Sequence, residues 1–222
     1  FFIIHIIIVC FEPLQEIDAH CGHVTALAFS SANIHSGSTY LVSGANDHSL
    51  ALWKLNGFKL SEVWKLEQAH KVVISAVCFG VFESSEYFFT AGWGGVVNVW
   101  KINANGKPPV SLITHVKIDA SRITSISVNS TGTHLTVAYT NGTLLLFCIH
   151  LSNDNLKLVL QCKYLCNGEY VSCVVASKDS FVAGSETGMI RRSPIQGMNP
   201  DFDKYFNSVE ATFVDVGALE EK

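Results

Sequence analysis

Three residues whose side chains can together perform nucleophilic catalysis lie near the N-terminal end of the chain: His20, Ser43 and Asp47. In a hydrolytic triad the imidazole takes the proton of the serine hydroxyl, and the carboxylate orients the imidazole. A catalytic serine also needs a sharply turned, exposed setting and nearby oxyanion donors. Ser43 instead lies inside a run of alternating apolar residues, so we do not predict catalysis at this serine.

Two other groups of residues could in principle bind a ligand. The glycine-rich segment 92–97, GWGGVV, lies between two predicted strands rather than between a strand and a helix, so it does not predict a phosphate site. Cys162, Cys166 and Cys173 lack a fourth cysteine or a histidine at a zinc-like spacing. We therefore expect no metal and no cofactor.

Composition and charge narrow the class of partner. The 222 residues are 48% hydrophobic and 15% charged, which is typical of a folded globular chain. The net charge of −4 resides entirely in residues 200–222, and the only adjacent basic pair is Arg191–Arg192. Because phosphate backbones require clustered basic residues, no nucleic-acid partner is expected.

The cysteines and the N-terminal residues bear on location. Seven scattered cysteines do not resemble a disulfide framework and fit a reducing compartment, so we expect a cytoplasmic protein, with the nucleus as an alternative. The apolar run 1–11, FFIIHIIIVCF, is shorter than the roughly 20 residues of a membrane span. We predict a buried β-strand there rather than membrane insertion, with a truncated leader as the alternative.

A repeat with a period of about 47 residues organises the chain. Each copy contains an apolar strand, a tight turn of small residues and a second strand that ends near an aromatic residue. The copies are 41–54, 88–101, 135–148 and the weaker 180–193. Another alternating strand precedes each copy, at 24–29, 74–79, 123–128 and 171–176. Four strands per unit, without helical periodicity before residue 195, predict an all-β fold of blades arranged around an axis.

The first two units resemble the WD40 repeats. In the first unit, Ala19–His20 stands four residues before a strand, and SGANDHSLALWK follows with Ser43, Asp47 and Trp53. In the second, Ala69–His70 stands four residues before its strand, and TAGWGGVVNVWK follows. The later units diverge, since Asp119 and Asn167 stand where the histidine is expected, and Gly94 replaces the turn aspartate.

The resemblance implies a fold and two sets of residues. The fold is a WD40-like β-propeller segment of about four to five four-stranded blades. A buried hydrogen-bonded set, the structural tetrad, comprises His20, Ser43, Asp47 and Trp53 in the first unit and His70, Thr90 and Trp100 in the second. A rim where partners dock is expected at His23, Asn46, Val73, Trp93, Arg122 and Thr140. Trp93 either anchors a partner or folds back over an adjacent blade.

The expected organisation is a segment of a larger propeller. Residues 1–16 would end a preceding blade, and the four repeats would be approximately 17–66, 67–113, 114–160 and 161–193. The acidic tail, residues 194–222, would begin a further blade, although a helical pattern also fits it. Because the family usually closes seven blades, we expect the chain to associate through open propeller edges.

The predicted function is a non-enzymatic scaffold that binds other proteins or peptides within a larger assembly. One alternative is a structural subunit of a multi-subunit motor, coat or pore complex. The other is an enzyme with an active site on the rim, which would require converging titratable groups that the sequence does not display.

Overall fold

The protein is described by a computed structural model that covers residues 14–30, 38–82, 85–103, 106–117, 119–152, 155–166 and 168–195. Within these ranges the chain forms fifteen β-strands. No helix there is long and apolar enough to cross a membrane. The expectations for residues 1–13 and 196–222 lie outside the described residues.

The strands form four antiparallel sheets in chain order. The first sheet contains β1 (Val24–Phe29), β2 (Thr39–Ala45), β3 (Leu50–Asn56) and β4 (Lys59–Leu66). The second contains β5 (Ile74–Phe82), β6 (Ser85–Gly92), β7 (Val96–Ile102) and β8 (Val110–Lys117). The third contains β9 (Ile123–Val128), β10 (His134–Tyr139), β11 (Thr143–Ser152) and β12 (Asn155–Leu165). The fourth contains β13 (Val171–Ala176), β14 (Ser180–Ser185) and β15 (Ile190–Pro194).

The same tight turn joins the second and third strands of every sheet. One residue in each of these turns has a positive φ between 73° and 82°: His48, Gly95, Gly142 and Gly188. Glycine adopts this left-handed conformation without steric cost, and histidine adopts it more readily than most residues. The repeated turn sets the repeated register, in which Trp53 pairs with Leu41 and Trp100 pairs with Phe88.

The core lies between neighbouring sheets, because the strands present apolar side chains on both faces. Leu52 and Val42 of the first sheet pack with Phe88 and Trp100 of the second. Phe89 of the second sheet packs in one cluster with residues of the third, and Leu146 of the third packs with residues of the fourth. Each internal sheet is therefore buried on both sides.

Side-chain hydroxyls of the first strands add polar contacts between sheets. In each of the first three sheets, the second residue of the first strand donates its hydroxyl hydrogen to a backbone carbonyl at the start of the following sheet. These bonds run from Thr25 to Ile74, from Ser75 to Ile123 at 2.6 Å, and from Thr124 to Val171 at 2.7 Å. These bonds fix the height of one sheet against the next. The sheets thus stack as blades, and the predicted all-β, WD40-like fold is confirmed.

Candidate functional site: a buried hydrogen-bond chain and an exposed rim

A chain of hydrogen bonds crosses the first sheet from an indole to a carboxylate. Trp53 Nε1 donates to Ser43 Oγ at 2.9 Å, and Ser43 Oγ lies 2.7 Å from His20 Nε2. On the other side of the ring, His20 Nδ1 lies 2.5 Å from Ser49 Oγ, which donates to Asp47 Oδ1 at 2.6 Å. The imidazole therefore reaches the carboxylate through the hydroxyl of Ser49.

The donors and acceptors of this chain match when the His20 ring is neutral and carries its proton on Nδ1. Burial lowers the pKa of the His20 imidazole, although the negative charge of Asp47 opposes the change. Burial alone would raise the pKa of the Asp47 carboxyl, but bonds from the hydroxyl and amide of Ser49 and the amide of Gly22 lower it to about 2. A neutral ring and an ionised carboxylate thus coexist at neutral pH.

The second sheet contains the corresponding chain without a carboxylate. Trp100 Nε1 donates to Thr90 Oγ1 at 2.9 Å, and Thr90 Oγ1 lies 2.7 Å from His70 Nε2. Gly94 stands where the first sheet has Asp47. The amide of Asn98 instead lies 3.3 Å from His70 Nε2 and donates to the Ala69 carbonyl at 3.1 Å.

The histidine of the second hydrogen-bond chain is less accessible to water than the histidine of the first. His70 is buried, whereas His20 is half-buried. Burial, together with the nearby charge of His48, lowers the pKa of His70 to about 4. With no carboxylate to counter desolvation, the ring stays neutral over the whole physiological range.

The third sheet replaces the polar chain with apolar packing. Val137 stands at the place of Ser43 and Thr90, and Phe147 stands at the place of the two tryptophans; both are buried. Asp119, at the place of the histidine, accepts from the Asn141 amide at 3.1 Å and from the Ser121 backbone at 2.8 Å. Asn167, the corresponding residue before the fourth sheet, lies outside the described residues.

The geometry around Ser43 does not suit nucleophilic attack. The residue is buried, and its hydroxyl already contacts both the indole of Trp53 and the ring of His20. A substrate carbonyl therefore has no approach to its oxygen. Among the described residues, no group of three or more His, Cys, Asp or Glu side chains is placed to hold a metal ion.

The predicted rim residues meet in pairs at one end of the sheets. The turn residue of each sheet donates its backbone N–H to the residue before the first strand: Asn46 to His23 at 2.9 Å, Trp93 to Val73 at 3.0 Å, and Thr140 to Arg122 at 2.9 Å. The fourth sheet repeats the bond from Glu186 to Tyr170 at 3.1 Å. Four backbone-tethered pairs thus line one edge of the stacked sheets.

Trp93 and Arg122 join two of these pairs across neighbouring sheets. The guanidinium carbon of Arg122 lies 4.5 Å from the centroid of the Trp93 ring, a cation–π distance. The indole nevertheless remains 44% exposed. Trp93 therefore contacts the segment that leads into the adjacent sheet and also presents a large aromatic surface to solvent; that it anchors a partner stays a prediction.

Sequence reasoning missed two residues of the buried hydrogen-bond chains and two residues of the rim pairs. Ser49 and Asn98 belong to the buried chains, and Tyr170 and Glu186 form the fourth rim pair. Ser49 could have been identified as the partner of Asp47 two residues earlier, a spacing typical of aspartate turns. Glu186 could have been found from its interval of 46 residues after Thr140.

Comparisons with known proteins agree with this geometry. The model of the WD domain, G-beta repeat family matches residues 11–54. Two curated Arabidopsis thaliana proteins match 53 residues each: target of rapamycin complex subunit LST8-1 at 38% identity and non-functional target of rapamycin complex subunit LST8-2 at 36%. Each match covers 24% of this chain and only 16% of the length of the relative.

Two solved structures share the fold. The computationally designed Ika4 protein superimposes with a TM-score of 0.59 at 18% identity, covering 84% of this chain and all of that one. The C-terminal WD40 domain of Sif2 superimposes with a TM-score of 0.61 at 17% identity, covering 80% of this chain and 47% of that one. Residues 11–54 thus match a WD40 repeat, and the four stacked sheets of three or four strands share the fold of a WD40 domain.

Proposed function

We propose that this chain is a non-enzymatic scaffold that binds a protein segment at its rim, with Trp93 and Arg122 as the anchor. The observation that carries the proposal is the placement of the Arg122 guanidinium 4.5 Å over an indole that is still 44% exposed. Tryptophan and arginine are the side chains most often found at the energetic centres of protein interfaces.

The rigidity of the rim supports this proposal. Both side chains project from residues whose backbones are tethered: the Trp93 amide to Val73, and the Arg122 carbonyl to Thr140. A preorganised pair loses little conformational freedom on binding, so more of the contact energy contributes to affinity. A guanidinium held over an aromatic ring still has N–H donors that can bind a carboxylate. The proposed ligand is therefore a peptide segment with an acidic side chain.

The proposed location is the cytoplasm. All six described cysteines are free, including the buried Cys166, which fits a reducing compartment. Burial raises the pKa of the Cys78 thiol to about 12, so this thiol is protonated and unreactive at neutral pH.

A capture experiment tests the rim. We would immobilise the wild-type chain, Trp93→Ser and Arg122→Ala, and identify proteins retained from a lysate of the source organism. The matched control is Phe58→Ser, because Phe58 is 85% exposed in the turn between β3 and β4, away from the rim. We expect the same proteins to be lost by both rim variants and kept by the Phe58 variant. Identical protein sets for wild type and both rim variants would contradict the proposal.

A second candidate function is permanent membership of a multi-subunit complex. The names of the two plant relatives describe subunits of a target of rapamycin complex, which favours this candidate over a coat or a pore. Co-purification at constant stoichiometry through several columns would indicate a permanent subunit. A partner that dissociates on dilution would indicate a transient scaffold.

A further inference from the structure

The loop that leads into the third sheet, residues 119–122, is joined to the turn of that sheet by a carboxylate. Asp119 Oδ2 accepts from the side-chain amide of Asn141 at 3.1 Å, and Asp119 Oδ1 accepts from the Ser121 backbone N–H at 2.8 Å. Burial alone would raise the pKa of the Asp119 carboxyl, but the hydrogen bonds from Ser121 and Asn141 lower it. The loop is therefore held to the turn by an ionised group at neutral pH.

The first sheet makes the same contact with the chemical roles exchanged. There the turn supplies the carboxylate: Asp47 Oδ1 accepts from the Ser49 backbone N–H at 3.0 Å, and Asp47 Oδ2 accepts from that of Gly22 at 2.9 Å. In the third sheet, Asn141 stands at the place of Asp47, and the carboxylate stands on the loop instead. Both sheets thus join loop and turn by a carboxylate and an N–H donor, although the charge has moved from one side to the other.

The loop 119–122 lies between two turns, one of which carries Trp93. Toward the second sheet, a Cβ at Gly95 would lie 1.9 Å from the Asp119 carbonyl oxygen, so this turn packs directly on the loop. Toward the third sheet, Thr140 donates its backbone N–H to the Arg122 carbonyl at 2.9 Å. Arg122 ends the loop, and its guanidinium carbon lies 4.5 Å from the centroid of the Trp93 ring. The position of the loop therefore sets the position of the guanidinium over the ring.

We propose that Asp119 is a positioning residue for the Trp93–Arg122 anchor, because its bond to Asn141 holds the loop where the guanidinium covers the indole. The inference rests on the function proposed above, since it concerns how that anchor is built. Asp119 acts through the backbone of the loop. Arginine has many rotamers, so a fixed backbone below it reduces the conformational freedom that a ligand would otherwise have to restrict.

An exchange of the two bonded side chains tests the inference. Asn141→Asp alone puts a second carboxylate where the amide lies 3.1 Å from Asp119 Oδ2, and like charges at this distance repel. The first sheet has aspartate at the same place of its turn, so the turn itself tolerates this change. Asp119→Asn combined with Asn141→Asp restores one donor and one acceptor, with the amide now on the loop.

Two further variants complete the set. Asp119→Ala removes the carboxylate without adding a charge. Asn103→Asp is the matched control, because Asn103 lies at the opposite end of the second sheet from Trp93. Its amide donates to the Pro108 carbonyl and the Ser111 hydroxyl, both at 2.9 Å, and both bonds are lost on substitution. Urea unfolding shows whether each variant is folded.

The readout is the fluorine NMR spectrum of the whole chain, labelled with fluorotryptophan and measured without a ligand. Trp93→Phe identifies the Trp93 signal, and Arg122→Ala gives the position of that signal without the guanidinium. We expect Asn141→Asp and Asp119→Ala each to move the signal more than half of the way to that position. The exchange variant should return the signal to its wild-type position, and Asn103→Asp should leave it there.

Three results would overturn the positioning role. The first is an unchanged Trp93 signal in folded Asn141→Asp and Asp119→Ala. The second is a shifted signal that the exchange variant does not recover. The third is an equal shift in Asn103→Asp, since any loss of stability would then suffice. None of these results would contradict the proposed function, which the capture experiment tests separately with Trp93→Ser and Arg122→Ala.

Discussion

The histidine chains of the first and second sheets have the same geometry but different electrostatic surroundings. In both, a hydroxyl lies 2.9 Å from the indole nitrogen and 2.7 Å from the imidazole. The His20 ring is half-buried, and its Nδ1 leads through Ser49 to an ionised Asp47. The His70 ring is buried, and its Nε2 also lies 3.3 Å from the neutral amide of Asn98. The hydroxyl shared by tryptophan and histidine is therefore the common element, and the second sheet keeps it without a carboxylate.

The same two sheets differ in how closely their turns are packed. His48 and Gly95 occupy the same turn place with φ of 73° and 74°. A side chain is accommodated in the first turn, whereas a Cβ at Gly95 would lie 1.9 Å from the Asp119 carbonyl oxygen. The second turn is thus closed by the segment that leads into the third sheet.

The largest expected effect is that of Gly95→Ala. The added Cβ must displace the Asp119 backbone, and alanine is disfavoured at positive φ, so the free energy of unfolding should fall by more than about 3 kcal/mol. The control, His48→Ala, should change it by less than about 1 kcal/mol because a side chain is already present there. Urea unfolding measures the free energy of unfolding of both variants. Equal losses would contradict the packing difference between the two turns.

His70→Ala should be the next most destabilising change, at about 3 kcal/mol. It leaves the Thr90 hydroxyl and the Asn98 amide short of a partner in a buried site and creates a cavity. His20→Ala should cost about 1 kcal/mol, because the half-buried ring leaves a space that water can enter to bind the buried hydroxyls of Ser43 and Ser49. Thermal and urea unfolding of the two variants should show this order, and the reverse order would refute it.

Acidification should weaken the fold through His70. Its pKa is about 4 in the folded chain against about 6.5 when unfolded, so between these values the unfolded state binds more protons. The free energy of unfolding should therefore decrease as the pH falls from 6.5 toward 4, by about 2 kcal/mol between about pH 7 and about pH 5. His70→Gln lacks this titration, so its urea midpoint should depend less on pH in that interval. Parallel pH profiles would argue against a neutral buried ring.

The smallest expected effect is the coupling between Thr90 and Trp100. The third sheet uses Val137 and Phe147 at these two places, so Thr90→Val combined with Trp100→Phe imitates an arrangement already present in the chain. The double variant should lose about 1 kcal/mol less than the sum of the single variants, since each single change leaves a polar group unpaired. The control pair, Thr90→Val with Trp53→Phe, should be additive within about 0.5 kcal/mol.

The fold was largely predictable because its signals are local. Alternating apolar residues, small-residue turns and aromatics at intervals of 47 residues are set by the strand period and by the turn that joins two strands. Ser49 and Asn98 were not predicted as partners of histidine, because each contacts a loop residue distant in sequence. Each of these contacts depends on how the loop that carries the histidine packs over the sheet.

By itself, the sequence determined which segments form strands, how they pair into four sheets, and which side chains face a core, because side-chain alternation and turn conformation act over a few residues. Only the tertiary structure decided that the Arg122 guanidinium lies over the Trp93 ring and that His70 is more fully desolvated than His20. These properties arise between sheets, where the distance between side chains and their access to water depend on packing that no single repeat contains.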